Sequence, residues 1–100
     1  MKAVRIHRNG GPEVLQYEDV ETPSPGQGEI LVRHTAIGLN FLDTYYRSGL
    51  YPAPNGLPLT PGGEAAGVIA AAGPGVSGLK VGDRVAYTTP LGAYAEQRVI

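Results

Sequence analysis

One hundred residues make a single domain with a modest core, and a net charge of −1, from 8 Lys and Arg against 9 Asp and Glu, leaves no basic footprint for nucleic acid or an anionic membrane. The absence of cysteine excludes disulfides, thiolate catalysis and cysteine-based zinc sites. Fifteen glycines and nine prolines fall between apolar runs rather than in repeats, the punctuation of many short strands joined by tight turns.

The opening MKAVRIHR alternates Ala3, Arg5 and His7 with Val4 and Ile6 and predicts a strand. Nothing in it resembles a signal peptide and nothing downstream approaches a membrane span, so a cytoplasmic chain is expected. NGGPEV breaks the strand, LQYEDVE resumes one, and Pro23-Ser24-Pro25-Gly26 forces a turn. EILVRHTAIGL is the longest β-rich stretch, apolar on both faces from Ile30 to Val32, and predicts a central strand.

NFLDTYYRSG then predicts the one helix. Asn40 stands as N-cap, Asp43 in the first turn and at the spacing of an ion pair with Arg47, and Gly49 just past the C-terminus. LYPAPNGLPLTPGG is too proline-rich for regular structure and predicts an ordered loop or a mobile flap. EAAGVIAAAG, DRVAYT and AYAEQRVI read as three further strands, the first so rich in small residues that another segment must pack closely against it.

Gly73 to Gly78, GPGVSG, matches the letters of a dinucleotide-binding fingerprint, G-x-G-x-x-G. That fingerprint needs a helix opening at its glycines, because the helix N-terminus holds the pyrophosphate. LKVGDRVAY follows instead, punctuated after four residues, and Pro74 pins φ inside the supposed loop, so a surface turn is expected.

Taken in order, GGPEVL, AIGLNFLDTYYRSGLYP, PGGEAAGVI, GDRV and GAYAEQ resemble the N-terminal portion of the zinc-independent, NADPH-dependent quinone oxidoreductases, the zeta-crystallin-like branch of the medium-chain dehydrogenase/reductase superfamily. The resemblance implies a mainly β fold, a GroES-like, partly open β-barrel with one short helix, occupying residues 1–100 as an incomplete catalytic domain. A Rossmann domain binding most of the NADPH and a returning C-terminal segment are expected outside these residues, in a full-length homo-oligomer. The expected partner is a small quinone or related conjugated carbonyl.

Zinc-dependent relatives carry a cysteine ligand in G-x-C-x-x-D and a histidine in G-H-E; Asn40 and Gly63 stand at those positions here. Glu64 alone does not make a tetrahedral site, so no metal is expected. A quinone is electron-poor enough to accept hydride directly, leaving the protein to orient it and to donate hydrogen bonds to the developing oxyanion. The resemblance implies Asn40, Tyr45 and Tyr51 as catalytic candidates and Asn40, Tyr45 and Gly63 as cofactor contacts, with Tyr46 a weaker candidate and a glycine at 63 where close relatives often have threonine.

Each candidate has a structural rival: Asn40 as a cap, Tyr45 or Tyr46 as a core residue, Tyr51 as a loop anchor. Asp43 and Glu64 read as structural, and His7 and His34 as ordinary strand histidines. The alternatives are a 2-alkenal or enoyl reductase of the same superfamily and, in another class, a non-enzymatic GroES-like interaction module.

Overall fold

The apolar runs become strands where β-branched and small residues alternate. In the computed structural model, which describes residues 1–100, β1 (Lys2–Arg5) and β2 (Gln16–Asp19) pair as an antiparallel ribbon. β3 (Ile30–Ile37), β4 (Glu64–Ala72), β5 (Arg84–Thr88) and β6 (Gln97–Val99) form an antiparallel sheet in the order β5-β4-β3-β6. Isolated bridges, Ala3 with Ala95 and Ile6 with Leu59, stitch the ribbon to the chain around the sheet without closing either sheet on itself. The result is the expected mainly β, partly open barrel with one α-helix.

β3 is central, flanked by β4 and β6, and its continuous apolar start is buried from Ile30 to Val32. One core cluster joins Ile30, Val32 and Ile69; a second joins Ile6, Val14 and Leu59, with Tyr46 packed against it. Val14 comes from a 3₁₀ turn over Pro12–Val14, whose proline sits at the start where no N–H is needed. Burying each large aliphatic of these clusters contributes about 1.5–3 kcal/mol.

The small residues of β4 have the predicted cause. A Cβ at Gly67 would lie 2.1 Å from the Arg33 carbonyl oxygen and 2.9 Å from Val32 Cγ1. β3 is irregular on both sides of that contact, between Leu31 and Val32 and between His34 and Ala36.

GPGVSG is a turn between β4 and β5 from which no helix opens. Gly75 and Gly78 adopt φ of 81° and 80°. The turn is fastened to the preceding loop by Gly73 N–H to Glu29 O at 2.8 Å and Gly28 N–H to Pro74 O at 2.7 Å.

Several local expectations need correction, the first being the opening strand, which ends at Arg5 and leaves His7 in a bend. The strand read from AYAEQRVI shortens to Gln97–Val99, because the residues before it turn their N–H groups to another segment: Ala93 to Gly62 O at 3.1 Å and Tyr94 to Pro61 O at 2.9 Å. The helix, α1 (Leu42–Ser48), ends as expected at Gly49, φ 88°, whose N–H bonds Tyr45 O. It does not begin as expected.

The Asn40 side chain does not cap α1. Phe41 precedes the first helical residue, in helical backbone conformation and without a side-chain cap. Only the returning half of a capping box forms, with the Asp43 carboxylate accepting the Asn40 backbone N–H at 3.1 Å. Nor does Asp43 pair with Arg47, whose Nε donates to Gly10 O at 3.2 Å, tying the end of α1 to the loop after β1. Asn9 adds a cap that sequence did not reveal, its amide donating to Tyr46 O and Arg47 O.

Candidate functional site

The turn that feeds α1 from β3 places Leu39, Asn40 and Phe41 along a cleft of about 360 Å³, closed by Asp43, Arg47 and Tyr94. Leu39 and Tyr94 also wall a second concavity of about 440 Å³ beside Lys2, His34 and Glu96. Asn40 is exposed at the first cleft, and its side-chain amide makes no hydrogen bond within the chain.

Asp43 lies behind it and is only 6% exposed. Its Oδ2 accepts the Tyr94 phenol at 2.5 Å as well as the Asn40 N–H. Desolvation pushes the Tyr94 phenol far above its ordinary value, and the Asp43 hydrogen bond and negative charge push the same way. Tyr94 is therefore a neutral donor across the working range of proteins.

The Tyr94 ring lies against the α-carbon of Gly62, where a Cβ would sit 2.4 Å from Tyr94 Cδ1 and where φ is 100°. Glycine is required there on both counts. Gly63 is different: a Cβ would meet nothing within 4 Å, its φ is not positive, and its carbonyl accepts Thr89 N–H at 2.6 Å. A Cβ would thus fit at 63 without a clash.

The tyrosines divide as their adjacency on a helix requires. Tyr46 turns inward onto Ile6, Val14 and Leu59. Tyr45, half-buried like Tyr46, lies between Phe41, edge-on at a centroid distance of 5.7 Å, and Tyr51 at 5.3 Å. Tyr51 also meets Tyr46 at 5.6 Å, and its N–H bonds Tyr45 O, so the proline-rich loop is anchored on the helix. The structure thus brings Tyr45 and Tyr51 together and keeps Asn40 in the neighbouring cleft, with Phe41 common to both; Gly63 stands apart beside Gly62 and Tyr94.

His34 is a strand histidine as expected, whereas His7 lies in a bend past the end of β1. His34 Nδ1 lies 2.7 Å from Ala95 O and its Nε2 2.8 Å from the Tyr87 hydroxyl, while His7 Nε2 approaches Glu18. Glu64 is exposed beside Gly38, and no group of three or more His, Asp or Glu side chains converges where a metal would sit.

The Asp43–Tyr94 pair escaped sequence reasoning. The spacing Asn40-x-x-Asp43 carried half the signal, but a partner 51 residues away lies outside any local pattern.

Residues 26–98 match the model of the alcohol dehydrogenase GroES-like domain. The quinone oxidoreductase of Pseudomonas aeruginosa is 58% identical over 100 residues, covering 99% of this chain and 30% of that protein. The 2-haloacrylate reductase of a Burkholderia species is 47% identical over 100 residues, covering 97% of this chain and 30% of its own. The crystal structure of Escherichia coli quinone oxidoreductase complexed with NADPH superposes with a TM-score of 0.94 at 46% identity, covering all of this chain and 31% of that one. The chain therefore spans about three-tenths of the length of the relatives it matches. A match of this extent leads to one conclusion: the chain belongs to the alcohol dehydrogenase GroES-like domain family.

Proposed function

We propose that this chain is the substrate-side, GroES-like portion of an NADPH:quinone oxidoreductase that works without metal, with its Rossmann domain and returning segment outside residues 1–100. The observation that carries the reading is the Asn40 amide, unpartnered at a cleft beside the aromatic face of Phe41, Tyr45 and Tyr51. It is supported by the identity to quinone oxidoreductases. The same reading puts the full-length protein in the cytoplasm as a homo-oligomer.

The donor set fits the nicotinamide end of the cofactor and not its phosphates. An amide, two phenols and flat aromatic surface suit a neutral ring; Gly63, the remaining cofactor candidate, adds open space rather than a donor. GPGVSG offers no helix N-terminus to a pyrophosphate. NADPH, when bound, supplies a hydride. This chain's residues then do the rest: Asn40 and Tyr45 contact the nicotinamide end, and Asn40 and Tyr51 donate to the quinone oxygen as it gains negative charge. The hydroquinone anion takes its proton from solvent, so one quinone, one hydride and one proton give one hydroquinone.

A second reading, reduction of the double bond of a conjugated carbonyl compound, is favoured by the relative that reduces 2-haloacrylate. The donors would serve the same oxygen while the hydride went to carbon.

Steady-state kinetics on the full-length protein test the site. Asn40→Ala and Tyr51→Phe are each expected to lower kcat with 1,4-benzoquinone roughly tenfold, as the loss of a hydrogen bond worth about 1.4 kcal/mol in the transition state would. The melting temperature is expected to stay near wild type in both variants, and NADPH affinity in Tyr51→Phe, since Tyr51 is not assigned to the cofactor. Wild-type turnover in both variants would contradict the assignment.

A further inference from the structure

We propose that Asp43 and Tyr94 form a positioning pair for the reaction: the Tyr94 phenol fixes the Asp43 carboxylate, which fixes the backbone N–H, and with it the side-chain direction, of Asn40. The inference rests on the assignment of Asn40 as the donor to substrate and cofactor.

Three features carry it. First, the carboxylate is buried without a cation. Arg47 stands four residues on, at the spacing of an ion pair, yet its guanidinium turns away to Gly10 O. Asp43 is held instead by one phenol and one backbone N–H, both on the same oxygen. A carboxylate that served only to stabilise the helix would gain more from the available arginine.

Second, the arrangement releases the Asn40 side chain. A cap made by Asn40 itself would occupy its carbonyl oxygen with an N–H of α1. Asp43 binds the turn from inside the helix, so the Asn40 amide keeps both its donors and its acceptor for a ligand.

Third, the pair joins two candidate segments that are remote in sequence. The Tyr94 N–H holds Pro61 O and its ring rests on Gly62, next to Gly63. Its hydroxyl reaches Asp43 and through it Asn40. Tyr94 is a second strut between Asn40 and the Gly62-Gly63 turn, beside the backbone bond from Gly38 N–H to Glu64 O at 3.1 Å. A displacement of the reacting groups by about 1 Å costs on the order of 10²-fold, so a strut of this kind acts on turnover as well as on folding.

A double-mutant cycle in the full-length holoenzyme separates positioning from plain stability. Tyr94→Phe, which removes one oxygen and keeps the ring on Gly62, is expected to lower kcat with 1,4-benzoquinone by roughly 5- to 10-fold. In an Asn40→Ala background the same change should cost less than about twofold in kcat, while its melting-temperature decrement persists in full. Asp43→Asn, which keeps an acceptor for the Asn40 N–H, should retain several-fold more kcat than Asp43→Ala. An undiminished Tyr94→Phe effect in the Asn40→Ala background would overturn the positioning role, as would wild-type kcat in Tyr94→Phe when Asn40→Ala is slow. Wild-type kcat in Asn40→Ala would instead remove the donor assignment on which the inference stands.

Discussion

At the scale of single residues, the candidate donors were legible and their support was not. Asn40, Tyr45 and Tyr51 lie within twelve consecutive residues, so a short motif displays them together. Tyr94 reaches Asp43 only through the fold, and the sequence offered Asp43 a nearer partner, Arg47, that the structure employs elsewhere. The pair has a signature in alkali. Burial, then Asp43, raises the Tyr94 phenol above its ordinary value of 10.0, so the folded state keeps a proton that the unfolded state releases. That contribution is complete below pH 10 and is lost as pH rises toward the folded-state value. Tyr87, raised chiefly by burial, adds a loss of the same sign. Thermal melts between pH 8 and 11 are expected to show a steeper alkaline fall in wild type than in Tyr94→Phe; parallel profiles would mean that the phenol is not held as described.

At the scale of elements, strand positions followed from apolar runs and turn residues, whereas strand ends depended on partners no local pattern reveals. β4 was readable as a strand in close contact because its small residues served no other purpose. β6 came out shorter than its sequence suggests because Ala93 and Tyr94 spend their N–H groups on the Gly62 and Pro61 carbonyls. Two glycine substitutions test these assignments. Gly67→Ala is expected to destabilise by about 2–3 kcal/mol, since the added carbon meets backbone rather than a yielding side chain. Gly75→Ala is expected to cost about 1 kcal/mol, because its φ is 81° although space is free around it. In the full-length protein NADPH affinity should not change with Gly75→Ala. Denaturant titrations read the first pair of values and fluorescence titration with NADPH the second; a large affinity loss at Gly75 with unchanged stability would restore GPGVSG as a phosphate-binding turn.

At the scale of the whole molecule, the chain is 40 × 23 × 20 Å, its two sheets are open, and Leu39, Phe41 and Leu50 around α1 are 83%, 76% and 67% exposed. Unpaired edges at β5 and β6 and this apolar surface make residues 1–100 on their own prone to associate. Light scattering at rising concentration should show it. The same 100 residues should not oxidise NADPH with a quinone, because nothing in them grips the phosphates and hydride transfer needs both rings held in register. The central claim, metal-free hydride transfer to a quinone at the Asn40 cleft, is tested most directly by NADPH oxidation with 1,4-benzoquinone in the full-length protein after exhaustive dialysis against chelator. Full activity that added zinc does not raise is the expected result; absence of NADPH-dependent quinone reduction, or activity lost to the chelator and restored by zinc, would contradict it.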